Sequence, residues 1–96
     1  MADPQDVLTQ RMQRALAAAF GDGEAATDPL IQSSRFADFQ ANVALPLAKR
    51  VGRRPRDVAE ELLAHLDVTD ICAAREVSGP GFINFTLRDD WIAAQA

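Results

Sequence analysis

Residues that build covalent or metal-bound sites are scarce in this sequence. Its 96 residues include one cysteine, Cys72, and one histidine, His65. A single thiol forms no internal disulfide and has no companion at metal-ligand spacing, so we expect a reducing, cytoplasmic setting and no metal site. Because no second histidine, cysteine or serine nucleophile stands at a useful spacing from His65, we expect that residue at the surface or its boundary.

Long apolar segments are missing as well. No run approaches the roughly 20 apolar residues that span a bilayer, and the N-terminus lacks the basic-then-apolar order of a secretory signal. We therefore expect no contact with a membrane. Hydrophobic residues make up 48% of the chain and charged residues 25%, which is typical of a folded protein. The length predicts a single domain, residues 1–96, with one modest core.

Groups that resemble catalytic or phosphate-binding sites have simpler explanations. Asp57, Glu60 and Glu61 fall at the start of a predicted helix, where carboxylates interact favourably with the helix dipole. The segment Gly79-Pro80-Gly81 contains a proline without an amide hydrogen, and no Lys-Ser or Lys-Thr follows it, so a turn is favoured over a phosphate loop. We expect no catalytic residue in this chain.

The charge is distributed unevenly along the chain. The net charge is −4, yet residues 29–56 contain six basic side chains and one acid, whereas the remainder contains four bases and thirteen acids. Such a chain can present a positive face on an acidic body, and that local face governs encounter with a polyanion. The alternative is an ordinary solvated helix end and loop.

Two segments carry the spacing and boundary residues of amphipathic helices. The first is predicted to begin at Asp3-Pro4 and to end at Gly21, because Asp is a favourable N-cap, proline suits the first turn and glycine ends helices. Another is predicted to begin at Pro55, and it buries a stripe of Val and Leu side chains.

A further helix is predicted between these two. It should start near Asn42, contain Pro46 in its first turn and end at Gly52. Asn42 is then a candidate N-cap as well as a candidate ligand-binding residue.

Strand signals occur in three places. Leu30-Ile31-Gln32 is a short apolar run, and residues 71–77 and 82–87 flank the Gly-Pro-Gly turn as a hairpin. In the last run, Asn84 and Thr86 share one face, opposite Ile83, Phe85 and Leu87.

The chain closes with a short predicted helix that begins at Asp89-Asp90 and docks Trp91 and Ile92. The order of elements predicts an α+β domain, in which three main helices pack on a small antiparallel sheet with a C-terminal hairpin and a short terminal helix.

The segment from residue 34 to residue 42, the aromatic–amide segment, has an unusual composition for a core. Phe36 and Phe39 offer ring faces on which a base can stack, while Gln40 and Asn42 each carry a donor and an acceptor for a base edge. We find no regular alternation that would make the segment one face of a sheet. Cations follow at once, and they are candidates for phosphate contacts: Lys49, Arg50, Arg53, Arg54 and Arg56.

The order of motifs resembles the N-terminal additional domain of arginyl-tRNA synthetases. The resemblance is carried by Phe36-Ala37-Asp38-Phe39-Gln40-Ala41-Asn42, by Leu47-Ala48-Lys49 and Pro55-Arg56, and by Gly79-Pro80-Gly81-Phe82-Ile83-Asn84-Phe85. It covers nearly the whole chain. It implies a non-catalytic domain that recognises a D-loop base at the outer corner of arginine tRNA, in the same polypeptide as the catalytic domain.

The resemblance also implies roles for individual residues. It puts Phe36, Asp38, Phe39, Gln40 and Asn42 at or around base recognition and makes Arg50, Arg53 and Arg54 contacts to the RNA backbone. The basic charge of residues 29–56 adds Arg35 and Lys49 as candidate backbone contacts. The family usually has Gly in place of Ala37 and often Tyr in place of Phe39, so a hydroxyl that hydrogen-bonds to RNA is missing here while stacking remains.

The resemblance implies that the catalytic residues lie in another domain of the parent enzyme, which we expect to be an arginine-tRNA ligase of class I. The His-x-Gly-His-like and Lys-Met-Ser-Lys-like ATP motifs of that class are absent from this sequence, so ATP and magnesium are expected in the catalytic domain and no cofactor in this chain. We expect a monomer. The rival interpretation is a protein-interaction or scaffold module in which Phe36 and Phe39 are core residues and no RNA binds.

Overall fold

A computed structural model describes residues 3–35 and 37–95. Within them lie four α-helices and four strands, whose bounds are α1 Pro4–Phe20, β1 Ile31–Ser33, β2 Phe39–Ala41, α2 Ala44–Val51, α3 Pro55–His65, β3 Cys72–Ser78, β4 Phe82–Leu87 and α4 Asp89–Gln95. A single 3₁₀ turn, Asp22–Glu24, interrupts the connection after α1. The predicted α+β class is confirmed. None of the helices in the described ranges has the length and apolar character needed to cross a bilayer.

The helix ends follow from local chemistry. The Asp3 carboxylate accepts a hydrogen bond from the Gln5 amide at 2.9 Å and caps α1. Pro46 falls in the first turn of α2, as predicted, and Gly52 ends that helix in the left-handed region with φ of 70°.

The four strands form one antiparallel sheet in the order β1-β2-β4-β3. The pair β1-β2 and the pair β3-β4 are therefore joined by the pairing of β2 with β4. In that pairing Gln40 lies opposite Asn84, and Phe39 lies opposite Phe85. Since successive side chains of a strand point to opposite sides, the sheet has two distinct faces.

The inner face packs on the helices. Its central members Ile83 and Phe85 are fully buried, together with Ala41 of β2. The helices supply the other side of the core through Leu8, Met12, Leu16, Leu47, Val58 and Leu62, all with 0% exposure. Burial of such side chains stabilises the fold by about 1.5–3 kcal/mol each.

The hairpin between β3 and β4 is held against the start of α3. Gly81 has φ of +144°, and a Cβ there would lie 2.9 Å from the carbonyl carbon of Pro55. The Arg56 guanidinium donates to the Gly79 carbonyl at 2.9 Å. The hairpin tip and the N-terminus of α3 therefore meet closely, and only glycine fits at the contact.

Four sequence-based details are wrong. The aromatic–amide segment does contain a strand, β2, because its three residues complete the pairing of β4 with β1. β1 begins one residue later than predicted, at Ile31. The N-cap of α2 is Val43 without a side-chain cap, so Asn42 does not cap the helix. Ile92 is 45% exposed, so in α4 only Trp91 packs against the core.

Candidate nucleic-acid interface

The loop that precedes β2 is tied to β4 through Asp38. The Asp38 amide donates to the Phe85 carbonyl at 3.0 Å, and its carboxylate accepts from the Leu87 amide at 2.7 Å. Asp38 was predicted to take part in base recognition, and in the structure one of its carboxylate oxygens holds the backbone of β4. The predicted stacking residue Phe36 lies outside the described residues. Arg35, beside it, is exposed.

Phe39 and Gln40 point to opposite faces of the sheet. Phe39 is half-buried and packs against the hydrophobic core. This position leaves less of its ring for a base than an exposed ring would offer. Gln40 lies on the other face, next to Gln32 of β1 and Asn84 of β4.

That second face, the outer face, is built from alternate residues of all four strands. Its middle row is Gln32, Gln40, Asn84 and Glu76, which lie side by side in the register of the sheet. Gln32, Glu76 and Thr86 are exposed. The middle of the outer face is therefore polar.

A chain of hydrogen bonds crosses the outer face. The Gln40 side-chain amide donates to the Asn84 carboxamide oxygen at 3.0 Å, and the Asn84 amide donates to the Ser78 hydroxyl at 2.7 Å. Asn84 is 6% exposed, and among the polar and charged residues of the described ranges it is the one that is buried. Its hydrogen bonds offset the cost of burying an amide.

Asn84 was not among the predicted site residues. The sequence did place it on the polar face of β4, and that was the available signal. Its contact with Gln40, 44 positions away, depends on the pairing of β2 with β4, which the sequence did not predict.

Asn42 takes a different position from Gln40. Its carboxamide oxygen is buried without a hydrogen-bond partner, while its backbone amide donates to the Leu30 carbonyl at 3.2 Å. In this conformation that oxygen is not accessible to a base. The structure thus brings Asp38, Phe39 and Gln40 together around β4 and leaves the Asn42 oxygen facing inward.

Three of the predicted backbone-binding cations form ion pairs. Arg50 contacts Glu24 at 3.0 Å, Arg53 contacts Glu61 at 2.8 Å and Arg54 contacts Asp57 at 3.0 Å. The arginine side chains are 40–85% exposed. Exposed pairs of this kind contribute about 0–1 kcal/mol, so a phosphate can compete with the carboxylates. Lys49 and Arg35 have no ion pair within the described ranges.

The Arg50 pair belongs to a small cluster around Glu24. The Thr27 hydroxyl donates to the Glu24 carboxylate at 2.7 Å, and this bond, with the Arg50 guanidinium, lowers the pKa of Glu24 below its ordinary value. The cluster joins the loop after α1 to the end of α2. These contacts hold the loop and the helix together at the protein surface.

The basic start of α3 lies at one end of the outer face. Ser78 and Phe82 flank the hairpin tip, where Arg56 binds Gly79. Asp38 lies toward the opposite end of β4, because it binds Phe85 and Leu87. The polar face thus has basic residues near its hairpin end.

A second polar region lies between α1 and the loop after α3. Its cavity of about 520 Å³ is lined by Arg11, Arg14, His65, Asp67, Thr69 and Asp70. Arg11 binds Asp70 at 2.9 Å and thereby lowers the pKa of that carboxyl group. His65 is exposed, as expected. Among the described residues no three acidic, histidine or cysteine side chains group as metal ligands.

Comparison with known proteins assigns the domain. The family described as "Arginyl tRNA synthetase N terminal domain" matches residues 6–87. The chain belongs to this family. The sequence is 65% identical over 95 residues to an arginine–tRNA ligase of Thermobifida fusca and 48% identical over 98 residues to that of Synechococcus sp.. Each alignment covers 99% of this chain, but only 16% and 17% of the respective ligase.

Two solved structures of arginyl-tRNA synthetases contain the same fold. Arginyl-tRNA synthetase from Plasmodium falciparum superposes with a TM-score of 0.82 at 20% identity, covering 94% of this chain and 17% of that protein. The Thermus thermophilus enzyme gives a TM-score of 0.79 at 19% identity, covering 97% and 15%. The arginyl-tRNA synthetase N-terminal domain therefore keeps its α+β fold at low sequence identity.

Proposed function

We propose that this chain is the tRNA-binding N-terminal domain of an arginine–tRNA ligase and recognises the D-loop corner of arginine tRNA. Membership of the family supports binding of tRNA in the course of aminoacylation. The observation that carries the finer proposal is the row of amides on the outer face. Gln40 is held by Asn84, on a face whose hairpin end lies near the basic start of α3, and it offers a donor and an acceptor to an unpaired base.

The proposed mechanism is positional. A base that leaves the D-loop stacks on Phe36 or Phe39, which contributes about 1–3 kcal/mol, and hydrogen-bonds to Gln40. Arg35, Lys49, Arg50, Arg53 and Arg54 contact the RNA backbone, with the three paired arginines exchanging a carboxylate for a phosphate.

The reaction itself belongs to the rest of the enzyme. The parent is proposed to be a cytoplasmic, monomeric class I synthetase whose catalytic domain, in the same polypeptide, binds ATP, magnesium and arginine. The N-terminal domain supplies orientation of the tRNA, and its isolated affinity is weak because the other contacts of the enzyme are missing.

Titration of the chain with a D-arm hairpin of arginine tRNA tests the proposal. Binding should weaken when the D-loop bases are replaced, and it should weaken with Gln40→Ala but not with Gln32→Ala, a matched glutamine on the same face. Equal affinity for native and base-replaced hairpins would exclude base recognition. No binding to either hairpin would favour the scaffold interpretation, in which Phe39 is a core residue.

A further inference from the structure

The polar cavity between α1 and the loop after α3 lies far from the hairpin tip. Its loop leads into β3 at Cys72, which pairs with Leu87 at the end of β4 remote from that tip. The remaining lining residues come from α1 and from His65, the last residue of α3. None of the described residues that we propose as RNA contacts is among those that line the cavity.

A bidentate ion pair forms one wall of the cavity. The Arg11 guanidinium donates to both oxygens of the Asp70 carboxylate, at 2.9 and 3.0 Å, and also to the Asp67 carbonyl at 2.8 Å. The Arg11 side chain is 25% exposed. Three hydrogen bonds from one planar group fix its orientation, and the charges of the pair compensate each other. This wall therefore holds the loop against α1 and presents little net charge.

The other lining side chains keep their polar groups available. Arg14 lies one helical turn after Arg11, and both Arg14 and His65 are exposed and make no hydrogen bond or ion pair within the described ranges. The Asp67 carboxylate is exposed too, and it accepts a long hydrogen bond of 3.4 Å from the Thr69 hydroxyl. The cavity thus offers one uncommitted guanidinium and one uncommitted carboxylate, with an imidazole and a hydroxyl beside them.

The balance of these charges decides which ligand fits. A net anion would meet the Asp67 carboxylate on a chain whose net charge is −4, and a net cation would meet the Arg14 guanidinium. A metal ion is not favoured, because no three acidic, histidine or cysteine side chains group together in the part of the chain that the structure describes. A ligand with one carboxylate and one ammonium group satisfies both free charges at once. The cavity volume of about 520 Å³ is typical of small-molecule sites.

We propose that this cavity binds a small zwitterion of the α-amino acid class. Arg14 donates to the carboxylate of the ligand, and Asp67 accepts from its ammonium group. The Arg11–Asp70 pair keeps the loop that carries Asp67 in place. The site is independent of the proposed function, because it uses other residues and needs no RNA. Its affinity is low, since both contacts are exposed to water and salt.

NMR titration of the chain with glycine, acetate and methylammonium, at constant pH and equal ionic strength, tests the proposal. His65 is the only histidine of the sequence, so its ring signals report on the cavity without overlap. Glycine should shift these signals and the amides of residues 67–70 saturably. Its affinity should exceed that of acetate and of methylammonium about two- to fivefold, because each of these probes makes only one of the two contacts.

Two outcomes of this titration would overturn the proposal. Equal affinities for glycine and acetate would indicate a site for anions only. Shifts that do not saturate at hundreds of millimolar glycine would exclude a specific site.

Substitutions assign the two contacts. Arg14→Gln and Asp67→Asn should each weaken glycine binding about two- to fivefold, and Asp67→Asn should make glycine bind no better than acetate. Arg54→Gln and Asp6→Asn replace an exposed arginine and an exposed aspartate outside the cavity, and they should leave the affinity unchanged. Unchanged binding in either cavity variant, or an equal loss in the two controls, would refute the assigned contacts and with them the proposal. Urea unfolding confirms that each variant is folded.

Discussion

The two faces of the β-sheet, built from the same strands, differ in what their side chains do. In β4, Ile83 and Phe85 point inward and are fully buried, while Asn84 and Thr86 point outward. The inner residues contact other apolar side chains and stabilise the fold. On the outer face, the buried Asn84 binds polar partners and connects them. Burial alone therefore does not identify a member of the apolar core, since Asn84 is buried on the polar face and contacts polar side chains.

The inner face should be the more sensitive one to truncation. Phe85→Ala removes a fully buried ring and leaves a cavity, so we expect a loss of about 3–5 kcal/mol in the free energy of unfolding, measured by urea denaturation. Thr86→Ala is the matched control on the adjacent exposed position, with a change within about 0.5 kcal/mol. Similar losses for the two variants would contradict the assignment of faces.

The burial of Cys72 predicts a dependence of stability on alkaline pH. Burial of the thiol, helped by the nearby Asp70 carboxylate, raises the pKa of Cys72 from 9.0 to about 11. The unfolded chain then releases this proton first. Stability attributable to the thiol is constant below pH 9 and falls by about 2–3 kcal/mol as the pH rises toward 11.

Urea denaturation at a series of pH values measures this loss. The background is favourable, because the chain has no tyrosine and its only lysine is Lys49. Cys72→Ala should flatten the stability profile between pH 9 and pH 11. An equally steep fall in that variant would assign the pH dependence to another group.

Substitution of Asp38 separates a role in the fold from a role in RNA recognition, because its carboxylate binds the backbone of β4. Asp38→Ala removes the acceptor of the Leu87 amide and should cost about 1–2 kcal/mol of unfolding free energy. Asp38→Asn keeps an oxygen at that position and should recover much of the loss. If Asp38→Asn is stable but binds the hairpin as poorly as Asp38→Ala, the carboxylate itself contacts RNA, and the holding of β4 is not its main role.

The basic segment should affect binding without affecting the fold. Arg54 is 85% exposed in its pair with Asp57, so Arg54→Gln should change the unfolding free energy by less than about 0.5 kcal/mol. If it contacts a phosphate, the slope of log affinity against log salt concentration should fall by about 0.7–0.9. Arg75→Gln is unsuitable as a control because Arg75 binds the Leu63 and Leu66 carbonyls, whereas Arg14→Gln tests an exposed arginine outside the segment.

Much of the fold was predictable because its signals are local. Asp3, Gly21, Pro46, Gly52 and Pro55 each act within one helical turn, and all of them mark helix ends or first turns in the structure. The hairpin was predictable from its turn and its alternation. β2 was not, because three residues are too few to show a period and its partners lie in β1 and β4.

The candidate site was predictable only where the chemistry of a single side chain is enough to identify a role. The donor and acceptor of Gln40 are properties of its side chain, and the sequence identifies them. The roles of Asn84 and Ser78 depend on distances to residues in other strands, and the inward position of the Asn42 oxygen depends on how the chain enters α2. These are tertiary facts, which residue type and spacing do not encode.

The most direct test of the proposed function is an NMR titration of the chain with the D-arm hairpin of arginine tRNA at low and moderate salt. We expect salt-sensitive shifts at Gln40, Asn84, Ser78 and the basic segment, with the amides of Ile83 and Phe85 moving less, and a loss of the Gln40 shifts when the D-loop bases are replaced. Absence of shifts at millimolar RNA, or shifts that are identical for native and base-replaced hairpins, would contradict it.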